Sequence, residues 1–406
     1  MAEQLRYSHN LLVPLLSVCP RLRQVVRTIL YRDVTLSPYV DASRHFQETV
    51  GANPSVGQLV SRLEMYGVSS AYRFHESRKL ARERAYATIS TLSQLKDLTL
   101  IDMTTDEANA VLAALPSPSL RSLRLQLQWT TNPSHREDLW THLSRHFELR
   151  MLECGDRCFP SSARPPRMTA VAAQHFHLPQ ILELHMNDRI LIDTFESTGS
   201  LRHALPDLRI LQITITQSKY TADINPILSE SPSSLTTLKL PNYAGYDIPN
   251  WNFAALPALH HLEFGRNTFV EADLLGAYLP TAPLESITFY LFAPVTDRIL
   301  QALTGPARSP QLRQICLDHV SGISQEEIRD HLKLYLSEGD TVEEVRRLIS
   351  PEWPDGGTQQ GLRLALAAAK ANGLEMTGSA LACLDWDATF DQVALRLHNG
   401  ASPRDG

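Results

Sequence analysis

Residues 95–100 read LKDLTL, and residues 120–125 read LRSLRL. Each has apolar residues at its first, fourth and sixth positions, so alternate side chains present one apolar face. That is the period-two signature of a short strand buried on one side. The same pattern returns as LRMLEC from Leu149, ILELHM from Ile181, LRILQI from Leu208 and LTTLKL from Leu235. It continues as LHHLEF from Leu259, LESITF from Leu284 and LRQICL from Leu312, with a weaker first copy, VSRLEM, from Val60. From Leu95 the steps are 25, 29, 32, 27, 27, 24, 25 and 28 residues, a mean near 27. Self-similarity at that period marks a stack of repeats in which no unit buries its face alone.

The segments between strands carry helix chemistry. Thr104 with Glu107 and Ser134 with Glu137 have the spacing of capping boxes. Leu139, Leu143 and Phe147 form an inward helical stripe, and Val111 with Leu115 and Leu274 with Tyr278 repeat the spacing. Strand, turn and returning helix predict an α/β solenoid, a curved parallel sheet inside and helices outside. The pattern resembles the leucine-rich-repeat family over roughly residues 55–340, about ten units. That family places Asn or Cys at the ninth motif position. Here only Asn267 does so, while Met103, Gln128, Arg157, Arg189, Thr216, Tyr243, Phe292 and Val320 occupy the rest.

Ahead of the repeats, residues 11–36 read LLVPLLSVCPRLRQVVRTILYRDVTL. Two short helices meeting near Pro20 are expected to bury their apolar cluster. Here the chain resembles the F-box family, in the form found in fungal F-box/leucine-rich-repeat proteins. The matching positions are Leu15, Leu16, Val18, Cys19 and Arg21, then Leu30, Tyr31, Arg32, Val34 and Leu36. Leu22 stands where the family has Trp, Pro20 where it has a basic residue, and the ten residues before Leu11 hold no counterpart of its opening Leu-Pro helix. The motif is a truncated or degenerate one. The resemblance implies an adaptor-binding surface on Leu15, Leu16, Val18, Cys19, Leu22, Leu30 and Tyr31, joining the chain to a cullin-based ubiquitin ligase whose substrate sits on the repeats. The alternative is a scaffold in which residues 1–54 merely cap the first repeat.

Beyond the repeats, Ser324 with Glu327 and Thr341 with Glu344 predict helices near 325–336 and 342–349. PEWPDGGTQQG from Pro351 is a loop, a further helix stops near Gly373, and 391–397 form a last one. Residues 341–406 therefore read as a C-terminal helical cap with a frayed tail.

Composition narrows the function. The 406 residues carry 38 Lys and Arg against 44 Asp and Glu, a net charge of −6 that argues against a nucleic-acid binder. Five scattered cysteines do not make a disulfide framework, and no apolar run spans a membrane. A soluble protein of the cytoplasm or nucleus, monomeric outside its complexes, is the expectation. Cys154, Cys158, His175 and His177 have metal-ligand types, but Cys154 falls on a buried repeat position, so no metal is expected. His260 and His261 point to opposite faces of a strand, and Asp385 and Asp387 read as solvated. The basic stretch Tyr72 to Arg84 is interleaved with Glu76 and Glu83 and reads as a solvated helix face. No phosphate-cradling loop or nucleophile elbow is present, so neither catalysis nor a cofactor is expected.

Function is then expected on the concave face, from the residues between the buried ones. In the first half these are Asp97, Thr99, Arg124, Gln126, Glu153, Glu183, His185 and Asn187. Further along they are Gln212, Thr214, Lys239, His261, Glu263, Thr288, Tyr290, Gln314 and Asp318. Nine strand steps of about 4.8 Å make an arc of about 43 Å, which suits a protein partner better than a small molecule.

Overall fold

The computed structural model describes residues 17–37, 41–67, 75–116, 120–128, 133–155, 177–187, 191, 201–214, 225–242, 253, 256–266, 272–290, 295–318, 325–349 and 357–398. Two compact units divide the chain: Met1–Leu211 with Glu230–Ser234, and Gln212–Ser229 with Leu235–Gly406.

In the first unit, strands β1 (Asp33–Leu36), β2 (Arg62–Tyr66), β3 (Asp97–Thr104), β4 (Ser122–Gln128), β5 (Met151–Gly155) and β6 (Glu183–Asn187) pair in chain order, all parallel. Its helices are α1 (Pro20–Leu30), α2 (Asp41–Ala52), α3 (His75–Ile89), α4 (Thr105–Ala114), α5 (Pro133–Ser144) and α6 (Leu201–Ala204). Strand β7 (Ile210–Thr214) falls where the units divide. In the second unit, β8 (Thr237–Asn242), β9 (His261–Arg266), β10 (Ser286–Tyr290), β11 (Gln314–Asp318) and β12 (Glu375–Thr377) are likewise parallel and in order. Its helices are α7 (Asn225–Ser229), α8 (Ala272–Tyr278), α9 (Asp297–Thr304), α10 (Gln325–Glu338), α11 (Val342–Ile349), α12 (Gln359–Ala371), α13 (Ser379–Ala382) and α14 (Trp386–His398). Parallel strands in chain order, one per repeat, make each unit a leucine-rich-repeat stack of the α/β class.

The motif sets the register. Leu98, Leu123, Leu152 and Leu184 stand side by side across β3 to β6, and Leu238, Leu262, Ile287 and Ile315 do so across β8 to β11. All are buried, as are the leucines that open each motif, among them Leu95, Leu120, Leu149 and Leu259. Phe264 and Phe289 stack with ring centroids 5.4 Å apart. A recurrent backbone link aligns the copies. The carbonyl of Lys96 accepts from the amides of Arg121 and Ser122, that of Arg121 from Arg150 and Met151, and that of His260 from Glu285 and Ser286. One carbonyl with two lone pairs thus takes two donors of the next repeat. Where the ninth-position Asn is missing, serines bridge turns elsewhere. The Ser309 hydroxyl donates toward the carbonyls of Ala282 and Leu284 at 2.8 and 2.9 Å, and that of Ser234 toward Pro206 and Leu208 at 2.9 and 2.8 Å.

The Thr104–Glu107 and Thr341–Glu344 boxes form with both reciprocal bonds, while Ser324 lies outside the described residues. Other expectations need correction. Helix α5 starts at Pro133, so Ser134 is inside it, and it ends at Ser144, which leaves Phe147 outside, 61% exposed. Leu139 and Leu143 do turn inward. Helix α14 starts at Trp386, five residues before the expected Asp391. Helices α10, α11 and α14 close on an apolar cluster of Ile328, Leu332, Val345, Ile349, Trp386, Phe390 and Val393. Strand β12, too short for a periodic signal, pairs with β11. Gly378 follows it at φ +110°, packed so closely on the Leu317 backbone that a Cβ would lie 2.3 Å from its carbonyl oxygen. Among the described residues no helix is long and apolar enough to cross a membrane.

Candidate functional site

Two surfaces carry the expected site residues: the open face of the strands and helix α1. On the first unit's strands the side chains form ladders, because equivalent motif positions share a register. Arg62 lies between Asp33 and Asp97, at 3.7 and 3.9 Å. One row over, Arg124 is 3.2 Å from Glu153, and His185 Nδ1 is 3.9 Å from the same carboxylate. His185 Nε2 sits 2.8 Å from Glu183. Thr99 stands beside Arg124 in that row, and Gln126 lies over Gly155. These pairs are half exposed and contribute little stability, about 0–1 kcal/mol each. Their sum matters more for what binds. Asp33, Glu64, Asp97, Glu153 and Glu183 face only Arg62 and Arg124 among the charged strand residues, an acidic excess. Asp33, Arg62 and Glu64 on β1 and β2 extend the expected set. The signal for β2 was the weak VSRLEM copy, whose Arg62 and Glu64 fall at the outward positions.

Asn187 departs from its expected place. It is 4% exposed, because β6 buries two consecutive residues, Met186 and Asn187, at its end. Gln212 and Thr214 lie half buried on β7.

In the second unit Lys239 pairs with Glu263 at 3.2 Å, and His261 Nδ1 lies 2.7 Å from the Ser286 hydroxyl. His260 turns away from that row toward Glu285, at 3.1 Å. Thr288 stands between Glu263 and Cys316, and Tyr290 is opposite Asp318. Burial raises the Tyr290 pKa, and the negative charge of Glu263 and Asp318 raises it further, so its phenol stays a neutral donor. Asp318 accepts a hydrogen bond from the Ser379 hydroxyl at 3.0 Å, and Gln314 is exposed.

Helix α1 forms because Pro20 occupies its first turn, where a missing amide costs nothing, and Cys19 caps it, Sγ accepting from the Leu22 amide at 3.5 Å. Leu22, Val25 and Ile29 follow at i, i+3 and i+7 along one face of the helix, and Val18 lies in the turn just before its cap. Of the described members of the expected cluster, most are not buried. Val18, Val25 and Ile29 are 63, 53 and 52% exposed and Leu22 is exposed too, while Val26 alone of the helix is buried. Leu30 and Tyr31 are half buried, and the Tyr31 ring meets Phe46 of α2 at 6.1 Å. Leu15 and Leu16 lie outside the described residues.

The metal-type residues do not assemble. Cys154 is buried and its thiol pKa is pushed up by burial and by Glu153, which keeps it protonated, and His177 Nδ1 is 2.8 Å from the His203 carbonyl. Cys158 and His175 lie outside the described residues. Among the described residues no group of three His, Cys, Asp or Glu is placed to hold a metal ion.

Comparison with known proteins adds little. No protein-family description matches the chain, and no curated protein matches it. Among solved structures it is similar to the TLR13 chain of a TLR13–ssRNA13 complex, at 14% identity and a TM-score of 0.26, over 66% of this chain. It spans 46% of the length of that chain. So distant a likeness carries nothing about function, and the repeat architecture rests on the strand order and register described above.

Proposed function

We propose that the chain is a non-catalytic protein-interaction module, an F-box-like substrate receptor of a cullin-based ubiquitin ligase. Helix α1 docks on the ligase adaptor, and the strand face holds a protein substrate. The observation that carries this reading is the open stripe of Leu22, Val25 and Ile29 on α1, with Val18 exposed in the turn before it. A helix whose only task was to seal the first repeat would turn that stripe inward. Covering what remains exposed of each side chain contributes on the order of 1 kcal/mol, enough in sum for a specific contact. The acidic excess on the first unit's strands favours a substrate segment rich in Lys and Arg.

A second reading, a leucine-rich-repeat scaffold with a vestigial F-box and no ubiquitin role, is favoured by Leu22 standing in place of the family's Trp. Calorimetry of the full chain with a purified F-box-recognising adaptor separates the two, run beside a Val25→Asp, Ile29→Asp double variant. These residues are exposed, so the variant should keep its circular dichroism spectrum. Saturable binding that the folded variant loses supports the receptor reading. No binding at tens of micromolar adaptor leaves the scaffold.

A further inference from the structure

At the carboxyl ends of β1, β2 and β3, beside α2, α3 and α4, the first unit holds a partly open cavity of about 150 Å³. That is about the size of a cavity that takes benzene. Its floor is apolar: Leu36, Met65, Ala85, Met103 and Val111, all buried. The floor depends on an irregularity in β3. The register against β4 shifts between Ile101 and Met103, and Asp102 adopts φ 53°. This bulge turns Met103 inward at the place where simple alternation would put Asp102. Gly67 lines the cavity beside it, where a Cβ would come within 2.4 Å of the Asp102 carbonyl oxygen.

The wall is polar: Arg44, Arg82 and Arg84 line it with Gln47, Tyr66, Tyr86 and Glu107. Most of that charge is matched locally. Arg44 faces Asp41 at 3.1 Å and Glu48 at 3.9 Å. Arg82 pairs with Glu107, whose other oxygen accepts the Thr104 amide at 3.0 Å. Glu107 is therefore committed, while Nε of Arg82 is buried without an acceptor among the described residues. Arg84 has no carboxylate within 4.0 Å among the described residues. Burial raises the Tyr86 pKa against the pull of Arg82, so its hydroxyl remains a donor.

We propose that this cavity binds a small monoanionic acid with an apolar body, about the size of benzoate, its ring on Met65, Met103 and Val111 and its carboxylate on Arg84 and Arg82. One unmatched cation above an apolar floor suits a monoanion with a greasy body better than a neutral apolar ligand or a bare dianion. The site is independent of the ubiquitin-ligase reading, and neither result bears on the other.

The test is calorimetric titration of the full chain with benzoate, with benzamide as its neutral isostere and with inorganic phosphate. Benzoate is expected to saturate, with benzamide and phosphate at least tenfold weaker. Arg84→Gln, at an exposed position, should weaken benzoate at least tenfold with an unchanged circular dichroism spectrum. Benzamide binding as tightly would reduce the site to an apolar void, and phosphate binding more tightly would make it a plain anion site; either overturns the proposal. So would indifference to Arg84→Gln, or no saturation by about 10 mM benzoate, a weaker affinity than any specific contact here should leave.

Discussion

Helix α1 and helices α10, α11 and α14 have the same kind of sequence and opposite fates. Each carries apolar residues at helical spacing with arginines between them. In the second unit Ile328, Leu332, Val345, Ile349, Trp386, Phe390 and Val393 meet one another and form a closed cluster. In the first, α1 buries Val26 and leaves Leu22, Val25 and Ile29 to solvent. Even their arginines differ. Arg346 of α11 lies 4.7 Å from the Phe390 ring centroid and reaches Glu343, Asp387 and Asp391. Arg21 and Arg27 beside the α1 stripe have no carboxylate within 4.0 Å among the described residues. Amphipathicity measures only the capacity to bury a face. Whether the face is buried depends on a second element arriving opposite it, and α1 has none covering its stripe among the described residues.

The largest effect separates the two regions by stability. Phe390→Ala, at a fully buried ring, should cost about 3–5 kcal/mol on denaturant unfolding of the second unit. Ile29→Ala on α1 should stay within about 0.5 kcal/mol. Equal costs would mean that α1 is covered in solution and would end the contrast. A smaller step tests the arginines. Arg346→Met removes a ring contact and a set of half-exposed ion pairs and should cost about 1–2 kcal/mol. Arg27→Met should be nearly silent in the same unfolding measurement.

What was legible from the residues divides along the same line. Strand positions could be read because period two and burial coincide, so LKDLTL predicted both the strand and the inward Leu98 and Leu100. The ladder of Arg124, Glu153 and His185 was legible once the copies were aligned, since the motif itself fixes register. Three features were not. The bulge at Asp102 reverses which of two neighbouring residues turns inward, and a run of mixed apolar residues such as Leu-Ile-Asp-Met carries no mark of where alternation breaks. Asn187, buried directly after Met186 at the end of β6, breaks alternation there as well. The exposure of the α1 stripe was hidden for another reason: spacing reports a face and is silent on its partner.

The helix starts give the comparison its finest edge. Helix α11 is capped by Thr341, whose amide donates to the Glu344 carboxylate at 2.8 Å while the Thr341 hydroxyl accepts from the Glu344 amide at 3.3 Å. The hydrogen bonds from the Thr341 amide and hydroxyl lower the Glu344 pKa below the ordinary carboxylate value of about 4.5. A carboxylate whose folded-state pKa is depressed stabilises the fold above its unfolded pKa, and that contribution is lost as pH falls through the folded value. The first turn of α11 should therefore lose amide-exchange protection as pH drops below about 4.5, after correction for intrinsic exchange rates. Glu344→Gln should flatten that acid dependence, because a neutral amide does not titrate. Helix α1 is capped by the Cys19 sulfur and has no acidic residue in its first turn, so its protection should not follow the same curve. If α1 and α11 lost protection together over this range, the acid response would belong to some global change, and the cap at Thr341 would not be its cause.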